Sequence, residues 1–351
     1  MRPRIAVVGL NHGYALARSA RACAAVELVG LCTRNPGAHR AQADELNVPL
    51  FGSLETMLSN LDLQGVVIAA PTHQLVSMAK ACIERNIHIL VEKPLGVGLS
   101  EVLKLKDAAA GASAKVVVGY YRRLSRQVIE LGRLLASGVI GDVIGVCAKW
   151  VIKKAPGYFA GWKASRSLGG GCLMINVIHD LDMLQHLLGP IETVMAMQSR
   201  LGYTDDVEHL VAVNMTFRGG KIGTLILCDQ SPSPYSYDTT VAAVSKFPHY
   251  PADGHHFFGT TGSLAFPSFT LYSTHSTADS WYDSLSRSVA SRANDTIDDP
   301  IAREMEHFAQ VLCGRAEPHA TIDDALQNLA VVAALRRSLE SSSVESVRCV
   351  Q

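Results

Sequence analysis

Val91-Glu92-Lys93-Pro94 ends an apolar run and sets an ammonium beside a carboxylate and a proline. Proline keeps Lys93 out of helical geometry and is compatible with a cis bond. A lysine held there can polarise a substrate oxygen or help to move its proton. A second set begins at Gly169-Gly170-Gly171 and runs through Ile175, Asn176, His179, Asp180 and Asp182. Three glycines let a backbone approach a ligand or a neighbouring strand closely. The helix after them is expected to carry Ile175, His179 and Asp182 on one face, at i, i+4 and i+7. His179 is thus a candidate general base, because an unperturbed imidazole titrates near neutrality. Its bland alternative is a core histidine bonded to a backbone carbonyl.

Val7-Val8-Gly9-Leu10-Asn11-His12-Gly13-Tyr14 reads as a strand, a turn and a helix start. In a doubly wound fold that is where a dinucleotide pyrophosphate binds. The glycine spacing is altered: Asn11 stands at the second glycine position, Tyr14 at the third, and Gly13 comes one place early. Asn tolerates left-handed dihedrals, which makes the turn feasible. About 20 residues further on, where an acid would hold ribose hydroxyls, stand Thr33-Arg34. A hydroxyl and a guanidinium suit a 2′-phosphate, so NADP(H) is the favoured cofactor and NAD(H) the alternative.

Upstream of the three glycines, Trp150 to Lys163 is rich in aromatics and lysines. Tyr158 and Trp162 with lysine donors fit a polyol or an acidic sugar, the lysines drawing a carboxylate; a solvated loop is the alternative. Arg122, Arg123, Asp229, Tyr235 and Tyr237 are weaker candidates for substrate contacts. His255-His256 has no partner at metal-ligand spacing and reads as loop or packing; no metal site is expected.

The elements that must position these residues follow two grammars. Short apolar runs at Ile5–Val8, Leu28–Cys32, Val66–Ala69, Ile87–Val91 and Val116–Val118 alternate with helical patterns. Asn35-Pro36 and Ser100 are the expected starts of two of those helices. Such alternation signifies a parallel sheet covered on both faces, hence a doubly wound α/β domain. After about residue 140, Val211, Val213, Met215 and Phe217 alternate with polar or small residues, Gly219-Gly220 turns, and Ile222–Cys228 runs back as an antiparallel hairpin. Val143–Val151, Thr193–Met197 and Ser263–Phe266 are further strands of a mainly antiparallel sheet. Tyr235–Ala252 and Thr274–Asp299 read as loops. Asp299-Pro300 starts a helix that Gly314 stops, and Thr321 with Asp324 forms a capping box for the next. The expected division is a dinucleotide-binding domain over residues 1–122 and a substrate and oligomerisation domain over residues 123–351, whose C-terminal helices are free to pack back on the first domain.

With these motifs the chain resembles the Gfo/Idh/MocA family, the glucose–fructose oxidoreductase and inositol dehydrogenase superfamily. The resemblance covers almost the whole chain. It rests on the strand–turn–helix start, Ala70-Pro71-Thr72-His73, Glu92-Lys93-Pro94, Val118 to Arg123, Gly169 to Asp182 and Gly259-Thr260-Thr261-Gly262-Ser263-Leu264. It implies an N-terminal Rossmann domain and a C-terminal α+β domain with a mainly antiparallel open sheet, often the interface of a homodimer or homotetramer. It implies hydride transfer between NAD(P) and a sugar, cyclitol or related polyol. On the cofactor side it adds Pro71, Thr72, His73 and Glu92 to Gly9, Asn11, His12, Gly13, Thr33, Arg34 and Lys93. On the substrate side stand Lys93, Tyr158, Trp162, Asn176, His179 and Asp182, with Lys93 and His179 catalytic. The family commonly has an aspartate four residues before the histidine; here that position is Ile175, and Asp180 or Asp182 is left to replace it. Two other activities of the superfamily remain open: a cofactor-binding regulator, and a glycosidase that oxidises its substrate transiently with NAD.

Composition limits the rest. The 351 residues carry 32 basic and 32 acidic side chains, a formal charge of zero that argues against nucleic acid and anionic membrane surfaces. No apolar stretch reaches transmembrane length, and the first residues lack a signal peptide's apolar region. Eight scattered cysteines (Cys23, Cys32, Cys82, Cys147, Cys172, Cys228, Cys313, Cys349) read as buried thiols of a cytoplasmic protein.

Overall fold

A computed structural model describes residues 2–199, 206–241, 247–274, 280–295 and 297–348. The chain divides into two compact units: Met1–Tyr121 with Ser167–Gly169 and Pro300–Leu329, and Arg122–Arg166 with Gly170–Asp299 and Ala330–Gln351.

The first unit holds a six-stranded sheet of β1 (Arg4–Val8), β2 (Glu27–Cys32), β3 (Leu50–Phe51), β4 (Gly65–Ile68), β5 (His88–Val91) and β6 (Val116–Val118). All pairings are parallel and the order is β3-β2-β1-β4-β5-β6. Helices α1 (Gly13–Ala22), α2 (Arg40–Leu46), α3 (Leu54–Asn60), α4 (Thr72–Ile83) and α5 (Leu99–Ala110) make the crossovers. β4 and β6 are buried at every residue, as parallel strands covered on both faces must be. Ile5, Val7, Leu31, Val67, Leu90 and Val117 form one core with Leu16, Ala17 and Ala20 of α1. Met305, Phe308 and Ala309 of the Pro300–Leu312 helix belong to the same core. The order reverses between β1 and β4, so the crevice of a doubly wound sheet opens at their C-terminal ends.

Two of the expected helix starts differ. Asn35 makes no side-chain cap; Pro36–His39 is a 3-10 turn ahead of α2. Ser100 lies inside the first turn of α5, where the Glu101 carboxylate accepts the backbone N–H groups of Val97 and Gly98 instead. Gly314 (φ +63°) ends its helix as expected. Thr321 and Asp324 cap each other, with bonds of 2.8 Å from Thr321 N–H and 3.3 Å from Asp324 N–H.

The second unit is built on a mixed, mainly antiparallel ten-stranded sheet. Its strands are β7 (Val143–Lys153), β8 (Ile191–Ser199), β9 (Leu210–Phe217), β10 (Ile222–Cys228), β11 (Gln230–Tyr235), β12 (His255–Gly259), β13 (Gly262–Phe266), β14 (Thr270–Ser273), β15 (Ser286–Val289) and β16 (Glu345–Ser346). The order is β15-β14-β13-β12-β7-β10-β9-β8-β16, with β11 on β7, and among the described residues only β7–β10 is parallel. The β9–β10 hairpin turns at Gly219 (φ +87°) and Gly220 (φ +85°), dihedrals that glycine alone adopts without strain. Val211, Val213, Met215 and Phe217 face inward with Leu225 and Leu227. Helices α6 (Arg126–Ala136) and α7 (Ile178–Leu188) complete the unit.

The two segments expected as loops carry more structure than that. Tyr237–Thr240 is a helical turn with a fully buried Tyr237, and the other segment contains β15. His255 lies on a strand, where it is buried and packs against Phe266, so of the expected loop or packing role it has the second. Of the cysteines, four are buried, Cys23 and Cys147 are half-buried, and Cys313 is exposed; Cys349 lies outside the described residues. Among the described residues no helix is long and apolar enough to cross a membrane.

Candidate active site

In the first unit, β1 runs into Gly9, whose N–H donates to the Cys32 carbonyl at 2.8 Å. Gly9 is left-handed (φ +84°), and a Cβ there would strike the Ala69 carbonyl at the end of β4. Asn11, a candidate for that conformation, is not among the left-handed residues; Gly9 alone makes the turn. A Cβ on Gly13 would lie 2.8 Å from the Ala69 methyl, so α1 can start this close to the sheet only with glycine. His12 precedes α1 and gives no side-chain cap, which leaves first-turn N–H groups and the positive helix end facing the crevice.

His12 instead reaches the Glu-Lys-Pro segment. Its Nε2 lies 3.2 Å from Glu92 Oε1, and Glu92 Oε2 accepts the Lys93 N–H at 3.2 Å. Burial would raise the Glu92 carboxyl, but His12 and the Lys93 ammonium outweigh it and hold the group below the usual carboxylate range. Lys93 is half-buried and its peptide bond to Pro94 is cis. Thr33 follows β2 with its N–H on the Phe51 carbonyl at 3.0 Å, and Arg34 beside it is exposed. Pro71 precedes α4, Thr72 is buried and packs on Gly169, and His73 is exposed beside Gln74.

Sequence reasoning missed Glu304. It is 1% exposed on the Pro300–Leu312 helix, 3.7 Å from His319 Nε2. An acid on the apolar face of an amphipathic helix was the available signal. Burial pushes its carboxyl well above the ordinary range; Glu92 adds to this and Lys93 opposes it. Folded Glu304 therefore keeps a proton at pH values where the unfolded chain has lost it. Stability must then fall as pH rises from the ordinary glutamate value through the raised one. Glu304→Gln is expected to flatten that fall, gaining on the wild type as pH rises in urea titrations. An unchanged pH slope would contradict this protonation state.

In the second unit Gly170 and Gly171 allow a close approach, but to a turn and a side chain and not to a strand. A Cβ on Gly170 would meet the Lys163 carbonyl, and one on Gly171 (φ +92°) would meet the Glu208 carboxylate. The expected single face of Ile175, His179 and Asp182 needs correction. Leu173–Val177 is a π turn in which Ile178 N–H donates to the Leu173 carbonyl, so four residues fall short of a full turn there. His179 is buried in the first turn of α7. Asp182 is held by Arg123 through two bonds of 2.9 and 2.6 Å. Asp180 lies 3.1 Å from Arg122 Nη1 and 3.3 Å from His255 Nε2. Burial acts upward on the Asp180 carboxyl, yet Arg122 and His255 keep it below the usual range. The Arg122 guanidinium stacks on Tyr237 at 4.3 Å.

Around the loop after β7, the structure gathers Lys154, Tyr158, Lys163 and Asn176. The two ammonium groups each lie 4.2 Å from the centre of the Tyr158 ring, and the Tyr158 hydroxyl bonds to Asn176. Burial raises the Tyr158 phenol to about 12. Trp162 is half-buried in the Gly161–Ala164 turn. Asp229 accepts from His209 at 2.7 Å and from the Cys172 thiol at 3.6 Å, whereas Tyr235 lies under Lys149. Among the described residues no group of three or more His, Cys, Asp or Glu is arranged to hold a metal ion.

Residues 3–120 match an oxidoreductase family described by its NAD-binding Rossmann fold, and residues 128–265 match the Gfo/Idh/MocA C-terminal domain. The rhizopine catabolism protein MocA of Rhizobium meliloti is 25% identical over 99% of both chains. The 2,7-anhydro-N-acetylneuraminate hydratase of Escherichia coli is 25% identical over 55% of this chain and 53% of its own. The chain spans about half the length, or less, of the first curated relatives it matches. WlbA dehydrogenase from Bordetella pertussis, solved with NADH and UDP-GlcNAcA, shares the fold at a TM-score of 0.78, with 20% identity over 99% of both chains.

Proposed function

Because the chain belongs to the Gfo/Idh/MocA family of oxidoreductases, we propose that it is an NAD(P)-dependent dehydrogenase or reductase acting on a CH–OH carbon of a sugar, cyclitol or related polyol. The observation that carries this reading is Lys93 at the C-terminal edge of the parallel sheet, tied through Glu92 and His12 to the uncapped start of α1. The residues present fit a dinucleotide: the Gly9 turn leaves no Cβ in the way, and the α1 N–H groups can receive a pyrophosphate. Nicotinamide supplies a carbon that gives or takes hydride. Lys93 polarises the reacting oxygen, and His179 takes or returns its proton. Tyr158, Trp162 and Asn176 hold substrate hydroxyls, while Asp182 serves Arg123. The nucleotide role falls to residues 1–122, with the Pro300–Leu312 helix in the same core, and the substrate role to the rest of residues 123–351.

NADP(H) is the proposed cofactor, because Thr33 and the exposed Arg34 follow β2, where an acid would favour NAD(H). Calorimetric titration of cofactor-stripped protein is expected to give clearly tighter binding of NADPH than of NADH. Comparable affinities would remove Arg34 from a phosphate site, and binding of neither would bring the regulator reading forward. One further reading, a glycosidase that oxidises its substrate transiently, agrees with a relative named for a hydratase reaction, which has no net redox change.

The proposed assembly is a homodimer or homotetramer in the cytoplasm. Strand register sets Met195, Met197, Ile222, Ile226, Phe258 and Tyr272 on one face of the large sheet, all exposed. Met197→Glu with Ile226→Glu is expected to lower the mass seen by light scattering. An unchanged mass would place the interface elsewhere.

A further inference from the structure

From the cluster at Tyr158 we infer that the substrate carries a carboxylate, held by Lys154 and Lys163: a polyhydroxy acid such as an aldonate or uronate. This rests on the dehydrogenase reading and narrows its substrate class. Both lysines are half-buried, and both set their ammonium groups against one aromatic ring, 4.2 Å from its centre. Lys154 also lies 5.2 Å from the ring of Trp150, which is fully buried. Aromatic faces hold ammonium groups in place without neutralising them.

Three acids of this region each also face another cation. Asp229 pairs with His209 at 2.7 Å, Asp238 lies 3.9 Å from Arg122, and Glu208 lies 3.4 Å from Arg166 and 3.0 Å from Arg336. Burial lowers the Lys154 ammonium and the Lys163 charge lowers it further, although Asp238 and Asp229 pull the other way. Crowding two like charges on one partly buried ring costs stability, and a bound anion relieves it.

Asn176 supplies the polyhydroxy part of the recognition. Its amide bonds to the Tyr158 hydroxyl, while its Oδ1 is buried with no hydrogen-bond partner among the described residues. A buried acceptor of this kind is costly unless a donor fills it, and a substrate hydroxyl is such a donor. A carboxylate on the lysines and a hydroxyl on Asn176 would be bound at neighbouring points of one small molecule.

The test titrates protein holding NADPH with a panel of aldonates and uronates, each beside its neutral alditol or aldose, and with the corresponding sugar phosphates. The tightest ligand is expected to be a carboxylic acid, bound about 30-fold or more better than its neutral partner. In Lys154→Met/Lys163→Met that preference should vanish, with NADPH affinity retained as the sign of a folded protein. Lys154→Arg should keep most of it. A neutral or phosphorylated compound as the best ligand, or a preference that survives in the double variant, overturns the inference. Acids that bind selectively but never exchange hydride would keep this site and remove the dehydrogenase reading. Neutral polyols turned over while acids are ignored would do the reverse.

Discussion

Lys93→Met is expected to lose about 10³-fold or more in kcat while NADPH or NADH affinity stays within about twofold of wild type. The split follows from where Lys93 sits. The elements proposed to face the nucleotide are the Gly9 turn and the start of α1, which do not depend on the lysine ammonium. Glu92, buried and held ionised by His12 and Lys93, keeps the His12 contact after the substitution. What disappears is the one positive charge proposed to stabilise alkoxide character on the reacting oxygen. Methionine matches the stem in length and polarisability, so packing changes little. Near-normal turnover in this variant would refute the role of Lys93. A parallel loss of nucleotide binding would instead make it a cofactor residue.

The second large effect concerns Asp182, which the sequence offers as a substrate contact. The side chain is 1% exposed and its two oxygens accept from Nε and Nη2 of Arg123. Removing one partner of a buried, doubly bonded pair strands the other charge, at a cost of about 3–5 kcal/mol. Asp182→Ala should therefore lower the urea midpoint sharply. Arg123→Met/Asp182→Leu should recover part of that loss, because the guanidinium is removed together with its carboxylate. An Asp182→Ala protein of wild-type stability but with greatly raised KM would return Asp182 to the substrate.

Which features were legible in the sequence follows from the range of the interactions that specify them. The runs that became β1, β2, β4, β5 and β6 were readable because burial on both faces leaves continuous apolar stretches. The two-residue β3 was not, since Leu50-Phe51 has no pattern of its own and pairs only because β2 lies beside it. The β9–β10 hairpin could be read from alternation and Gly219-Gly220, but the parallel pairing of β10 with β7 joins segments some 70 residues apart, a relation no local pattern holds. Helical periodicity placed Ile175, His179 and Asp182 on one face; the π turn at Leu173–Val177 altered the phase. At the site, Glu92-Lys93-Pro94 and the glycine triplet announced themselves by residue type. The bonds from His12 to Glu92 and from Arg123 to Asp182 link residues 80 and 59 positions apart by number, and spacing carries no trace of them. Asn11 tolerates a conformation that Gly9 supplies alone, and a residue's tolerance for a dihedral does not require its use.

The most direct test of hydride transfer uses a substrate deuterated at its carbinol carbon, chosen from the panel compounds that bind, with oxidised nucleotide in excess. Deuterium is expected at C4 of the nicotinamide in the released nucleotide, and none there with Lys93→Met. Substrate consumed with the label returned to carbon or lost to solvent, and no reduced nucleotide accumulating, would contradict a net dehydrogenase and belong to transient oxidation.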